Sequence, residues 1–471
     1  MKKFTVGISV LLISGSIALA KDITLKEAIN TALENSFELN ASKKLLKAKN
    51  YEYQATKGMR YPTIKFTEMF MRTNTPGWAM MNTLNQERLT INSSAKFVDM
   101  TAFNRLMRQN LFQPPSYPEV NNWQTKLELQ IPIFTGFKIS TGIEMKKKDY
   151  EATKKDVKRT QQKVIYDVSK AYYGALLAKR AIKLAEQAIK SAEKHYKTAQ
   201  KMYEVGLAIK SDVLRAKVYL ENAKAKLEEA KNQYYIAKKG LLLAMGVDDV
   251  KPEDIEVIGE LKFEDTDKSV EYWQNYAIQN RPDLKAVEMR VKIAKKMGDF
   301  YKADFFPMIG AFASYEMDDN KTPFGSDGKW WTAGIALNWK LFDGFQNLNK
   351  YRAVREQYRQ YKSKEKGFKE FIKFKVYEAY RNLQTAKAKL NTAKKNSQWA
   401  KEVLEITEKR YKNQMATMID LLDTQTLYDK TLFDLAKAVY DAKVSLLELK
   451  YQAGALNVDN LETIKKEGGD K

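Results

Sequence analysis

Apolar residues recur at alternating steps of three and four along one stretch: Ala175, Ala178, Ile182, Ala185, Ile189, Ala192, Tyr196, Ala199 and Tyr203. That spacing is the a/d seam of a heptad repeat, and it predicts a helix lying against a partner helix. The seam breaks around Gly206 and resumes in Ala216, Leu220, Ala223, Leu227, Ala230, Tyr234, Ala237, Leu241 and Ala244. Many seam positions are alanine, which lets two helices approach closely. From Phe137 to Gly246 there is no proline. The stretch reads as a helix from about Ile139 to Val205, a tight reversal at Gly206, and an antiparallel return. At 1.5 Å per residue the first helix would be about 100 Å long. That is too long for a compact globular domain.

The hairpin occurs twice. A shift of 208 residues aligns Phe134 with Phe342, Gly136 with Gly344, Phe137 with Phe345, Tyr203 with Tyr411, Asp212 with Asp420 and Gly246 with Gly454. Heptad spacing recurs in Leu383, Ala386, Leu390, Ala393, Ser397, Ala400, Leu404, Thr407 and Tyr411. The part preceding each hairpin is duplicated at a different offset, 245 residues, matching Thr24 to Ser269, Asn35 to Asn280, Leu39 to Leu284 and Pro62 to Pro307. An internal duplication therefore organises the chain. The offsets differ by 37 residues, an insertion placed in Thr73 to Asn122. That segment reads as a long polar loop, with a short helix expected at Phe103 to Asn110.

Between the helices lie segments of a different period. Trp123, Thr125, Leu127, Leu129, Ile131 and Ile133 alternate with Gln124, Lys126, Glu128 and Gln130. This is a strand with one apolar face. Its duplicate, Trp331 to Leu341, follows the same rule, and weaker strands precede them at Pro62 to Arg72 and Pro307 to Met317. About ten residues is the length a tilted strand needs to cross a bilayer, with Trp123 and Trp331 at an interfacial aromatic belt. A soluble hairpin with one face in a core is the alternative. Four strands cannot close a barrel, and unpaired edges are prohibitive in lipid, so the chain must oligomerise. Three copies would supply twelve strands.

Compartment follows from the N-terminus, MKKFTVGISVLLISGSIALA, which reads as a secretory signal peptide cleaved after Ala20. Beyond it no apolar run reaches helical membrane-spanning length. With no cysteine, disulfides and thiolate metal sites are excluded. The formal charge of +23 raises nucleic acid as a partner, but lysines spread along helix faces of an exported chain argue for solvated surfaces instead. The lone histidine, His195, is expected at an ordinary surface position. Among such residues no catalytic site is visible, and neither a cofactor nor a metal is called for.

The layout is thus α+β. A signal peptide (1–20) precedes a first repeat (21–246), with a strand hairpin at 61–134 and a helical hairpin at 137–246. An acidic connector (247–268) leads to a second repeat (269–454), with corresponding hairpins at 307–342 and 345–454. A polar tail (455–471) ends the chain.

The hairpin tips sharpen the reading. The first runs YEVGLAIKSDVLRAK (Tyr203 to Lys217) and the second YKNQMATMIDLLDTQTLYD (Tyr411 to Asp429). With the duplicated order of helix, strand, strand and helical hairpin, these resemble the TolC-type outer-membrane efflux proteins over essentially the whole mature chain. The resemblance implies a homotrimer: a twelve-stranded barrel in outer-membrane lipid, continued by an α-helical tunnel through the periplasm. It implies an exit duct of a tripartite efflux or type I secretion system, docking a periplasmic adaptor (membrane fusion) protein and an inner-membrane transporter. Gly206, Leu207, Ala208, Gln414 and Met415 would be the docking tips. Asp420 and Asp423 would ring the closed entrance, and Asp212 with Tyr411 would form a gate hydrogen bond. Two departures stand out: Ala416 replaces a family arginine that strengthens the lock, and Gln414 replaces the second tip glycine.

The residues support these roles on physical grounds as well. Asp420 and Asp423 share a helix face, and three copies would bring six carboxylates to one axis, attracting cations. Asp212 and Asp420 could instead simply favour a helix start; for Asp212 the two readings balance, whereas for Asp420 with Asp423 the ring is favoured, because Asp423 is not needed for capping. A periplasmic coiled-coil adaptor or structural spacer without a pore is the rival; it would share the heptads but not the four strands.

Overall fold

The computed structural model describes residues 21–88 and 119–457. The signal peptide, the helix expected at Phe103 to Asn110 and all but the first residues of the polar tail lie outside them. Apart from two short 3-10 turns, the element order is β1 (Lys21–Ile23), α1 (Leu25–Asn35), α2 (Phe37–Gly58), β2 (Thr63–Thr73), α3 (Pro76–Asn85), β3 (Val120–Phe134), α4 (Lys138–Glu204), α5 (Lys210–Met245), β4 (Ile255–Val257), α6 (Val270–Asn280), α7 (Pro282–Lys302), β5 (Met308–Asp319), β6 (Gly328–Asn338), α8 (Gln346–Lys412) and α9 (Met418–Gln452). Contacts sort the chain into two compact units. One comprises Met1–Lys47, Ala152–Glu288 and Ser363–Lys471; the other comprises Ala48–Glu151 and Met289–Lys362. Each draws on both sequence repeats.

The duplication is visible in the element bounds. Both α4 and α8 have 67 residues, and each bound of α8 lies 208 positions beyond its counterpart. The short helices α1 and α6 have 11 residues each. Both begin at a hydroxyl cap, because the first helical N–H groups have no partner in the helix itself. Thr24 Oγ1 accepts from Glu27 N at 3.3 Å, and Glu27 Oε2 accepts from Thr24 N at 2.8 Å. At the second copy Ser269 Oγ accepts from Tyr272 N at 3.3 Å.

The second unit holds a four-stranded antiparallel sheet in the order β2-β3-β5-β6. Its strands have 11 to 15 residues, enough to cross a bilayer when tilted. Register puts Phe66 opposite Leu127, Leu127 opposite Tyr315 and Tyr315 opposite Trp331. With Ile64, Leu129, Ile335 and Leu337, these make one apolar face. It is exposed in the single chain, Trp331 by 75% and Ile335 by 73%. The other face carries Gln124, Lys126, Glu316 and Thr332, with Lys126 paired to Glu316 at 3.1 Å. Among the apolar residues of that face lies the charged Glu68, which accepts a hydrogen bond from the Thr125 hydroxyl at 2.5 Å. Among the described residues β2 and β6 each leave one edge unpaired. Pro132, which has no N–H for the ladder, coincides with a register shift between Pro132 and Phe134.

Strand gives way to helix at Gly136-Phe137 and again at Gly344-Phe345, where all four residues have φ between 59° and 69°. Two left-handed residues in succession turn the chain sharply. Phe134 and Phe342 brace the turns edge-on against Phe137 and Phe345, with ring centres 5.3 and 5.5 Å apart. This accounts for the repeated Phe-x-Gly-Phe spacing.

Four elements depart from expectation. The polar segment from Thr73 to Asn122 contains α3, started by Pro76 at its first turn, and β3 already begins at Val120. The connector 247–268 is not merely a linker: its β4 pairs in parallel with β1, Ile23 opposite Val257. β6 also begins three residues earlier than the alternation of apolar positions suggests, at Gly328, and ends at Asn338.

In the first unit the seam residues are buried as their spacing requires. Ala175, Ala192, Ala199, Ala216, Leu241 and Leu383 are fully enclosed. Near the far end of α9, two arginines take over helix capping. Arg281 Nη1 donates to Gln452 O at 3.0 Å and Arg159 Nη1 to Tyr451 O at 2.7 Å. Both guanidiniums face Asp283, which Arg281 grips with two nitrogens at 2.7 and 3.0 Å. Arg159 also stacks 3.8 Å from the Tyr451 ring centre. Cations at the C-terminal carbonyls complement the helix dipole. Among the described residues no helix is long and apolar enough to cross a membrane.

Candidate functional site

The two hairpin tips come together within the first unit. Ala199 of α4, Ala216 of α5, Leu404 and Tyr411 of α8, and Met418 and Leu421 of α9 form one buried cluster. Four helices thus share a core directly beside the reversals.

Both reversals have one geometry. After α4, Gly206 N donates to Tyr203 O at 3.0 Å and Leu207 N to Met202 O at 2.7 Å. After α8, Gln414 N donates to Tyr411 O at 3.0 Å and Met415 N to Arg410 O at 2.8 Å. These pairs satisfy the last carbonyls of each helix and need a left-handed residue at the turn. Gly206 has φ 76° and Gln414 has φ 61°. The second repeat therefore keeps the turn without its glycine. Arg410 Nη2 also reaches Met415 O at 3.2 Å, tying the strained turn to the helix before it.

A Cβ at position 206 would meet nothing within 4 Å, so backbone conformation alone sets the cost of a side chain there. Left-handed φ costs a non-glycine residue about 1 kcal/mol or more. Gly206→Ala is expected to open the first turn roughly fivefold more often, while Gln414→Gly quiets the second, though by less because glycine loses more entropy. Amide hydrogen exchange at Leu207 and Met415 measures both, and equal protection in all variants would refute the argument.

After each turn the helices start differently. Thr417 caps α9: its hydroxyl accepts from Asp420 N at 3.2 Å, and Asp420 Oδ2 accepts from Thr417 N and Oγ1 at 2.9 and 2.7 Å. The backbone hydrogen bond from Thr417, then that from its hydroxyl, holds the Asp420 carboxyl below the ordinary carboxylate range, with Arg410 adding a smaller electrostatic push. Asp420 thus serves as an N-terminal box residue and stays ionised, exposed at the tip. Asp423 lies on the same helix and is exposed too. In the first repeat Ile209 stands where Thr417 stands, and α5 has no side-chain cap. Asp212 occupies the box position without a hydroxyl to receive.

The Tyr411 hydroxyl is buried and has no hydrogen-bond partner among the described residues. Burial and, secondarily, the Asp212 charge push it above its ordinary value. In the single chain the Asp212–Tyr411 hydrogen bond is therefore not made, although the two groups influence each other. Leu207 and Met415 are exposed and Ala208 and Ala416 half-buried. In the other unit, Trp123 is half-buried against Phe70 at 4.6 Å, whereas Trp331 is exposed. Both lie on the apolar sheet face.

His195 corrects the expectation made for it. It is 3% exposed, not on the surface, and its Nε2 lies 3.1 Å from Gln425 Oε1. Heptad spacing within α4 leaves position 195 beside the seam; α9, which covers it, comes from far along the chain. Among the described residues no group of histidine, aspartate and glutamate side chains is arranged to hold a metal.

The arrangement matches known proteins. Alkaline protease secretion protein AprF of Pseudomonas aeruginosa is 25% identical over 199 residues, covering 41% of this chain and 40% of that protein. The chain thus aligns with about two fifths of the curated relative's length. A membrane protein from Pseudomonas aeruginosa superposes with a TM-score of 0.73 at 18% identity, covering 98% of this chain and 99% of that one. The Campylobacter jejuni CmeC outer membrane channel gives 0.72 at 15% identity, covering 92% and 85%. These structures share the fold. Residues 28–247 and 273–455 match the family described as outer membrane efflux protein. Efflux channels of the outer membrane are not enzymes, and the strands and helices described above are the parts such a channel requires. The chain belongs to the outer membrane efflux protein family.

Proposed function

We propose that this chain is the passive exit duct of a tripartite efflux or type I secretion system, working as a homotrimer. The observation that carries the proposal is the four-stranded sheet with an exposed apolar face, a polar opposite face and two unpaired edges. Lipid tolerates no open edge, so neighbouring chains supply the missing partners, and three copies close a twelve-stranded barrel. The helical hairpins then form the tunnel. Gly206, Leu207, Ala208, Gln414 and Met415 are the surface offered to a periplasmic adaptor, which links the duct to an inner-membrane transporter. Asp420 and Asp423 ring the entrance, and Asp212 is the acceptor available to the Tyr411 hydroxyl when the tips close. Trp123 and Trp331 sit at the lipid interface. The likeness to the alkaline protease secretion protein AprF supports secretion of a polypeptide, and the likeness to outer membrane efflux proteins fits efflux equally well.

Native mass spectrometry of the detergent-solubilised protein is expected to show a trimer. A stable monomer or dimer as the main species would overturn the barrel.

A further inference from the structure

Beyond the tip turns, four side chains, His195 and Gln425 buried and Tyr219 and Asp429 half-buried, form a polar chain that neither the carboxylate ring nor the Asp212–Tyr411 pair uses. His195 Nε2 lies 3.1 Å from Gln425 Oε1. Gln425 Nε2 donates to Asp429 Oδ1 at 2.9 Å, and the Tyr219 hydroxyl donates to Asp429 Oδ2 at 2.8 Å. Since the Gln425 amide gives its N–H to Asp429, its oxygen must accept, so His195 carries its proton on Nε2. His195 belongs to α4, Tyr219 to α5, and Gln425 and Asp429 to α9. Two of the three links therefore join the first hairpin to the second. The surroundings are apolar, with Ala192, Leu220 and Ala223 buried together nearby.

An apolar seam would serve packing at least as well, because a buried polar network gains little over well-packed hydrophobic side chains. What it adds is direction: its hydrogen bonds form in one register and are left unsatisfied if the helices part. We propose that this network is a latch that holds α9, and with it Asp420 and Asp423, against the first hairpin, so that opening the tips requires breaking it. The inference rests on the reading of the tips as the channel entrance.

The latch is sensitive to acid through its histidine. Burial, opposed by the Gln425 hydrogen bond, depresses the imidazole below its ordinary 6.5. A base depressed in the closed form stabilises that form above 6.5 and loses the contribution as pH falls below it. The charged and titratable groups facing it are Asp429 on α9, Tyr219 and, beside Asp429, Lys226 on α5, and Glu408 on α8, which is paired to Lys194 at 3.1 Å. Burial raises Asp429 from 3.8, which acts with the opposite sign, so the histidine must be tested separately.

The test is opening frequency of the trimer in planar bilayers, with the tip side held at about pH 7.5 and then about pH 5.5. Tyr219→Phe and Gln425→Leu are expected to open roughly fivefold more often at the higher pH, since each removes one hydrogen bond between the two hairpins. Wild type is expected to open several-fold more often in acid, and His195→Gln to show no such rise. Thermal melting confirms that each variant is a folded trimer. Folded variants that open like wild type would overturn the latch while leaving the channel intact. A rise that persists in His195→Gln would overturn the role of the histidine, and a wild-type trimer that conducts nothing would overturn channel and latch together.

Discussion

Channels carrying Asp420→Ala with Asp423→Ala will conduct without block by multivalent cations, whereas wild-type channels will be blocked. Hydrogen bonds from Thr417 hold Asp420 ionised, and Asp423 is exposed on the same face of α9. In the proposed trimer, three copies would place six such carboxylates around one aperture, where a bound cation would relieve their mutual repulsion. Arg410 lies close enough to offset part of the charge, so the ring is weaker than a bare count of carboxylates suggests. Removing both aspartates is expected to raise the blocking concentration tenfold or more, about 1.4 kcal/mol or above. Because Asp420 also completes the box with Thr417, its removal will loosen the first turn of α9 by about 1 kcal/mol. Asp423→Ala alone leaves that box untouched and should still shift the block in the same direction. An unchanged blocking concentration in the double variant would remove these residues from the entrance.

The largest effect on stability is expected far from the tips, at Asp283. Two guanidiniums, Arg281 and Arg159, face this carboxylate, and their side chains are only 6% and 12% exposed. Arg281 and Arg159 also cap the end of α9, so neither can swing out to water without abandoning the Gln452 and Tyr451 carbonyls. Asp283→Ala would leave two buried cations uncompensated, and breaking such a site by removing one partner costs about 3–5 kcal/mol. Burial raises the Asp283 carboxyl, but the Arg281 hydrogen bonds and the charges of Arg281 and Arg159 more than offset this and leave it below its ordinary 3.8. A depressed carboxylate stabilises the fold above 3.8, and that contribution is lost as pH falls below it. Denaturant unfolding should therefore show the wild type and Asp283→Asn converging at low pH and diverging at neutral pH. A loss below about 1 kcal/mol in Asp283→Ala would mean that water reaches the arginines after all.

Much of the fold could be read along the chain because its two periodicities are long and uninterrupted. The heptads of α4 and α5 persist over many turns, the four strands alternate, and the duplication lets each repeat check the other. The tip turn at Gly206 was legible from its glycine; that Gln414 keeps the left-handed turn without one was not, and only the structure shows it. What could not be read depended on partners distant in sequence. β4 is three residues long and exists because β1 lies beside it. His195 looked exposed because α4 alone does not say that Gln425, 230 positions on, will cover it. The arginine cluster was invisible for the same reason: Arg159, Arg281 and the end of α9 meet only in the folded chain. α3 is a different case. Pro76 after Thr75, followed by Trp78, Met80, Met81 and Leu84, is a helix-start signal that a polar, proline-containing context obscured.

The two open edges of the sheet also bear on inheritance. In the proposed trimer β2 of one chain must pair with β6 of the next, so a chain with a spoiled edge damages a neighbour whose own sequence is intact. A cell making normal and edge-defective chains in equal amounts would assemble only about one faultless trimer in eight. Lesions in β2 or β6 should therefore behave as dominant, and lesions that stop the chain from folding at all as recessive.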